Sequence, residues 1–92
     1  MRRSTPRQRM AKVLRSPAHE RLLAFLRTAR REAGLTQTEL AALIGKPQSF
    51  VAKVEGGERR LDVVEYVALC RAIGADPTEG LQIIESSQKA KS

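Results

Sequence analysis

The chain is short of the side chains that covalent and metal chemistry require. Its 92 residues include one histidine and one cysteine. With so few, no disulfide framework, no His/Cys metal spacing and no nucleophile paired with a base can be assembled. Cys70 is expected in the core as a small apolar residue, and His19, beside Glu20, as a solvated residue of a first helical turn. Aromatic residues are also scarce: Phe25, Phe50 and Tyr66, with no tryptophan. That is too few for the stacking surfaces on which single-stranded nucleic acids are held. No apolar run approaches the ~20 residues of a membrane span, and the basic N-terminus lacks the apolar stretch of a secretory signal. The expectation is a cytoplasmic, non-enzymatic chain with no cofactor, no metal, no membrane contact and no small-molecule effector.

Positive charge is what the chain has in excess, and it is unevenly placed. The net charge is +7. Arg2, Arg3, Arg7, Arg9, Lys12 and Arg15 give residues 1–16 six basic side chains and no acid, leaving 11 basic against 10 acidic residues in the remainder. Met10, Ala11, Val13 and Leu14 form the arm's apolar cluster, too small to fold alone. Three roles stay open for it: a contact to DNA phosphates or an A·T-rich minor groove through Arg2, Arg3, Arg7 and Arg9, a contact to a partner protein, or a solubilising tail.

From residue 17 onward, helical signals follow one another at short intervals. A chain this short makes one domain with a modest core. Ser16-Pro17 starts a first helix running to about Ala33, with Leu22, Leu26, Ala29 and Ala33 as its core stripe. Thr36 with Glu39 reads as a capping box, as do Asp62 with Glu65 and Asp76 with Glu79. Val63, Tyr66, Val67, Cys70 and Ile73 recur at core spacing. A last helix over about 77–86 carries Leu81, Ile83 and Ile84, of which one or two finish the core and the rest form an apolar dimer contact. The domain is placed at 17–86, with a polar tail at 87–92.

The organising stretch is Gln37 to Gly57, QTELAALIGKPQSFVAKVEGG. At 100° per residue its first half gathers Leu40, Ala41, Leu43 and Ile44 on one side, and Gly45 ends that helix. On the second helix, counting from Gln48, Val51 and Val54 fall at roughly 300° and 240°, whereas Gln48, Ser49, Ala52 and Lys53 span roughly 0° to 140°. One face is apolar, and the opposite face carries an amide, a hydroxyl and an amine. Those groups suit base edges: Gln48, Ser49 and Lys53 are candidates for reading DNA bases, with Phe50 at the edge of the face for a thymine methyl.

This run resembles the helix-turn-helix of the lambda-repressor/Cro-like (XRE-type) family. The likeness lies in Ala41, Gly45, the apolar Leu40, Ile44, Val51 and Val54, and the closing Glu55-Gly56-Gly57-Glu58-Arg59, and it extends over roughly 20–81. Lys46 departs from the family's usual aliphatic residue and Pro47 from its usual Ser or Thr cap. The resemblance implies a compact all-α, five-helix, lambda-repressor-like fold and a salt bridge between Arg30 and Glu55. It also implies that Gln37, its side chain free at a helix start, holds a backbone phosphate, and that the loop bearing Arg59 and Arg60 runs along the DNA backbone. Lys46 joins them as a phosphate candidate.

The function expected is a sequence-specific double-stranded DNA-binding transcriptional regulator, a homodimeric repressor or autoregulator of bacterial or phage type. Two other readings are a protein-interaction module on the same fold, antitoxin-like or scaffolding, and arm-driven DNA binding without sequence preference.

Overall fold

A computed structural model describes residues 16–91, with side chains as far as Ser87. Arg2, Arg3, Arg7 and Arg9 lie outside the described residues. The elements in chain order are α1 (Pro17–Glu32), α2 (Gln37–Leu43), α3 (Gln48–Glu55), α4 (Val63–Ile73) and α5 (Pro77–Lys91). All regular structure among the described residues is helical, giving the all-α, five-helix class.

Local chemistry sets most of the boundaries. The Ser16 hydroxyl accepts from the His19 N–H at 3.2 Å, with Pro17 in the first turn. Thr36 and Glu39 form a reciprocal box at 3.0 and 2.9 Å. Asp62 and Glu65 form a second at 2.7 and 3.0 Å. Asp76 differs from expectation: its carboxylate accepts from the N–H and hydroxyl of Thr78 at 3.0 and 2.8 Å. The adjacent threonine offers two donors at once, so the cap forms there. Gly45 sits at φ +69° just after α2, a conformation that costs a side-chain-bearing residue and that aims the chain into α3.

Two apolar clusters share α1. Leu23 packs with Leu40, Ala41, Phe50, Val51, Val54 and Leu69. Leu22 and Leu26 pack with Tyr66 and Cys70, and Ile84 closes over them from α5. Leu61 and Ile73 touch both clusters. Because α1 is covered on two sides, a single stripe underdescribes it: Leu23 is buried although it lies off the i, i+4, i+7 series, while Ala33 is exposed. Cys70 is fully enclosed, and burial pushes its thiol up, which suppresses the reactive thiolate.

Four further expectations are corrected. Leu43 and Val63 are 61% and 77% exposed; each occupies the end of its helix, past the reach of the neighbouring elements. The last helix continues to Lys91 rather than stopping near residue 86. Ser87, expected in a polar tail, is buried because its hydroxyl accepts from Arg21 Nη1 at 3.0 Å. His19 is not fully solvated: its Nε2 is enclosed and lacks a hydrogen-bond partner.

Candidate nucleic-acid interface

α3 is anchored from behind and open in front. Phe50, Val51, Val54 and Glu55 are buried, whereas Gln48, Ser49 and Lys53 are exposed. The helix is therefore held by one face and displays an amide, a hydroxyl and an amine on the other. Its cap residue is Pro47, which supplies no side-chain acceptor. The Phe50 N–H donates to the Pro47 carbonyl at 3.0 Å, while no side chain caps the start of α3, a feature that favours an anion at this end.

The anchoring is electrostatic as well as apolar. Arg30 meets Glu55 in a two-pronged contact, Nε to Oε2 at 2.6 Å and Nη2 to Oε1 at 3.0 Å. Both side chains are nearly enclosed, at 9% and 8% exposure. Arg30 Nη1 also donates to the Leu35 carbonyl at 2.8 Å, and Arg27 Nη2 to the Glu55 carbonyl at 3.2 Å. Burial pushes the Glu55 carboxyl up, but hydrogen bonds from Arg30 and Gln37 and the charges of Arg30 and Arg27 more than offset this and hold it below its ordinary value. The pair joins α1 to the far end of α3. Its satisfied lone pairs are what make a buried ion pair tolerable.

Gln37 is not free, contrary to expectation. Its Nε2 donates to Glu55 Oε1 at 3.0 Å, and its Oε1 accepts from Gln48 Nε2 at 2.8 Å. A continuous polar chain thus runs from Arg30 through Glu55 and Gln37 to the exposed Gln48. Because the carboxylate holds the Gln37 amide nitrogen on its own side, the amide oxygen is the atom turned to Gln48. Gln48 must then turn its nitrogen inward and present its carbonyl oxygen outward.

Phe50 is also relocated. It is a core residue at 8% exposure rather than part of the displayed face. The Lys46 ammonium stands 5.3 Å and the Arg59 guanidinium 4.6 Å from its ring centre. Both distances are within the range of cation–π attraction. Arg59 in addition grips Glu65 with Nη1 to Oε1 at 2.9 Å and Nη2 to Oε2 at 3.0 Å. This bond and the capping contact with Asp62 bring the Glu65 carboxyl below its usual range. Arg59 is accordingly a strut between the loop after α3 and the start of α4, while Arg60 is exposed on the same loop. Sequence reasoning missed the strut because its partner, six positions on, was already accounted for by a capping box.

The dimer trio separates. Leu81 is 54% exposed, Ile83 is half-buried, and Ile84 is packed against the second cluster. Among the described residues no helix is long and apolar enough to cross a membrane.

Two short helices joined at a glycine turn, the second held by its inner face and bare on its outer one, define a helix-turn-helix domain. A helix-turn-helix domain family matches residues 21–80. An XRE-family like protein from Pseudomonas syringae pv. tomato str. DC3000 is 48% identical, with TM-score 0.74 over 84% of this chain and 94% of that one. The clp gene regulator ClgR from Corynebacterium glutamicum is similar in two crystal structures. One is 26% identical with TM-score 0.68, covering 78% of this chain and 94% of that chain. The other is 25% identical with TM-score 0.69, covering 83% and 81%. No curated protein sequence matches the chain. The chain belongs to the XRE-type helix-turn-helix family of DNA-binding transcription regulators.

Proposed function

We propose that this chain is a cytoplasmic regulator that reads double-stranded DNA by sequence, inserting the outer face of α3 into the major groove. The observation that carries the reading is the fixed amide of Gln48. A glutamine oriented by Gln37, and through it by a buried ion pair, presents one carbonyl oxygen and one remaining amide hydrogen in a set direction. An adenine edge offers the complementary donor and acceptor. Ser49 and Lys53 extend the contact along the same face, and Phe50 contributes by anchoring the helix from behind.

Phosphate contacts fall to the groups around that face. Lys46 stands at the entry to α3 and Arg60 on the loop leaving it, and the start of α3, which has no side-chain cap, adds the positive end of its own dipole. Arg59 supports the loop through Glu65. The basic residues Arg2, Arg3, Arg7 and Arg9 add sequence-independent attraction. Leu81 on α5 and the exposed Val63 and Val64 on α4 offer apolar surface for a two-fold partner. A homodimer built on such surface would place two α3 helices about 34 Å apart, one turn of DNA.

The test is a competition titration. Genomic fragments selected by the wild-type chain would be bound against excess unrelated duplex at physiological salt. Saturable binding that resists competitor, and that Gln48→Ala with Lys53→Ala abolishes without unfolding the protein, supports the reading. Binding lost entirely to competitor would sink it in favour of a purely electrostatic contact.

A further inference from the structure

Away from α2 and α3, an open groove of about 880 Å³ separates α1 from the junction of α4 and α5. Its floor is apolar and includes Phe25, Ala29, Ile73 and Ile83. Its rim carries the carboxylates Glu32, Asp76 and Glu79, with Arg21 as the single basic lining residue. Three of the chain's 10 acidic residues thus border one groove. Phe25, Ile73 and Ala75 along it form the partly buried outer side of the second cluster, and none of its lining residues belongs to α2 or α3. An apolar floor inside an acidic rim selects for a segment that is itself apolar and basic.

The chain contains such a segment. We infer that residues 1–15 are the occupant of this groove in the DNA-free protein. Met10, Val13 and Leu14 match the floor, and Arg2, Arg3, Arg7 and Arg9 match the rim. The chain length permits it. Residues 1–15 lead directly into Ser16 at the start of α1, and fifteen residues reach up to about 50 Å when extended. α1, with its 16 residues, is only about 24 Å long at 1.5 Å per residue. The arm can therefore double back along α1 to Glu32 at its far end. Docked there, its arginines are paired with protein carboxylates and withheld from phosphate. The groove then sets how much of the arm's charge is available to unrelated DNA, and it does so whether or not α3 reads sequence.

The test uses the full chain with Ser4→Cys carrying a nitroxide label, since the enclosed Cys70 does not compete for the reagent. Amide resonances are compared between the labelled and the reduced protein in the absence of DNA. The expected result is selective broadening of Thr28, Glu32 and Ile83, with Lys53 and Arg60 spared. The broadening should vanish at about 1 M salt, where screening acts within ~3 Å. It should also vanish in the chain that combines Glu32→Lys with Glu79→Gln. Broadening spread evenly over the surface, or retained in high salt, overturns the inference. Broadening that appears on unlabelled chains mixed with labelled ones also overturns it, because the occupant would then be a second copy. The otherwise wild-type labelled chain decides the matter even if the double variant fails to fold.

Discussion

Gln48 Nε2 donates to Gln37 Oε1 across 2.8 Å, so an amide on the exposed face of α3 takes its orientation from the helix before it. The bond has a direction because Gln37 has already committed its nitrogen to Glu55. Replacing Gln37 by alanine should leave Gln48 free to flip between two nearly isosteric poses. The expected outcome is partial loss of discrimination at the base that Gln48 is proposed to read, against a loss of about 1–3 kcal/mol for Gln48→Ala. Competition titrations over single-base variants of a selected site would measure both. Equal affinity of the wild type and Gln37→Ala for every variant would remove the orienting role.

The Arg30–Glu55 pair should matter to stability more through its loss than through its presence. Truncating either partner strands a buried charge, so Arg30→Ala or Glu55→Ala should cost about 3–5 kcal/mol in urea unfolding. The double change to Met and Leu should cost less than either single truncation, because no unpaired charge remains. A double variant as unstable as the sum of the two would contradict this account.

Acidification should act through the same carboxylate. Glu55 has a folded-state value below its ordinary one, so between those two values the unfolded chain binds more protons than the folded one. Its contribution is therefore complete above about pH 4.3, the ordinary carboxylate value, and is lost as pH falls through the folded value. Thermal melts from neutral pH downward should show a steeper acid loss for the wild type than for Glu55→Gln. Parallel curves would assign acid sensitivity to other groups.

Gly80 should resist even a methyl group. A Cβ there would collide with the Tyr66 hydroxyl and lie 3.0 Å from Leu22 Cδ1 and 3.1 Å from Phe25 Cε2. The Tyr66 hydroxyl is pinned by its bond to the Pro77 carbonyl. Gly80→Ala is expected to destabilise by about 1–3 kcal/mol through overpacking. Base discrimination should survive below the lowered melting point, since the clash lies between α5 and the second cluster.

Phosphate contacts leave their mark in salt dependence. Lys46→Ala and Arg60→Ala should each flatten the plot of log affinity against log salt by about 0.9 if each side chain neutralises one phosphate. They should weaken binding to every sequence alike. A change in sequence preference with an unaltered slope would place the side chain on a base instead.

What the sequence made legible was local or periodic. The boxes at Thr36 and Asp62 lie within four residues, and the buried faces of α2 and α3 follow one angular period. The meeting of Arg30 and Glu55 came through family likeness. What stayed hidden depended on which surfaces other elements cover. Leu23 and Leu69 are buried because two layers close over α1 and α4, while Leu43 and Val63 are apolar but lie past the last neighbour. Phe50 lay on the wrong side of an angular boundary: its large ring joins the core, and two cations stand over it. The polar chain from Arg30 through Glu55 and Gln37 to Gln48 draws on three helices, and no spacing rule would connect it.

The division of the interior into two clusters meeting only at Leu61 and Ile73 bears on how such a chain can change over generations. Apart from Leu61 and Ile73, the residues packed around α3 differ from those packed beneath α5. If the last helix carries the proposed dimer contact, drift there can remodel association while the outer face of α3 stays the same. If the outer face of α3 reads bases as proposed, drift there can alter the sequence bound without disturbing the packing beneath α5.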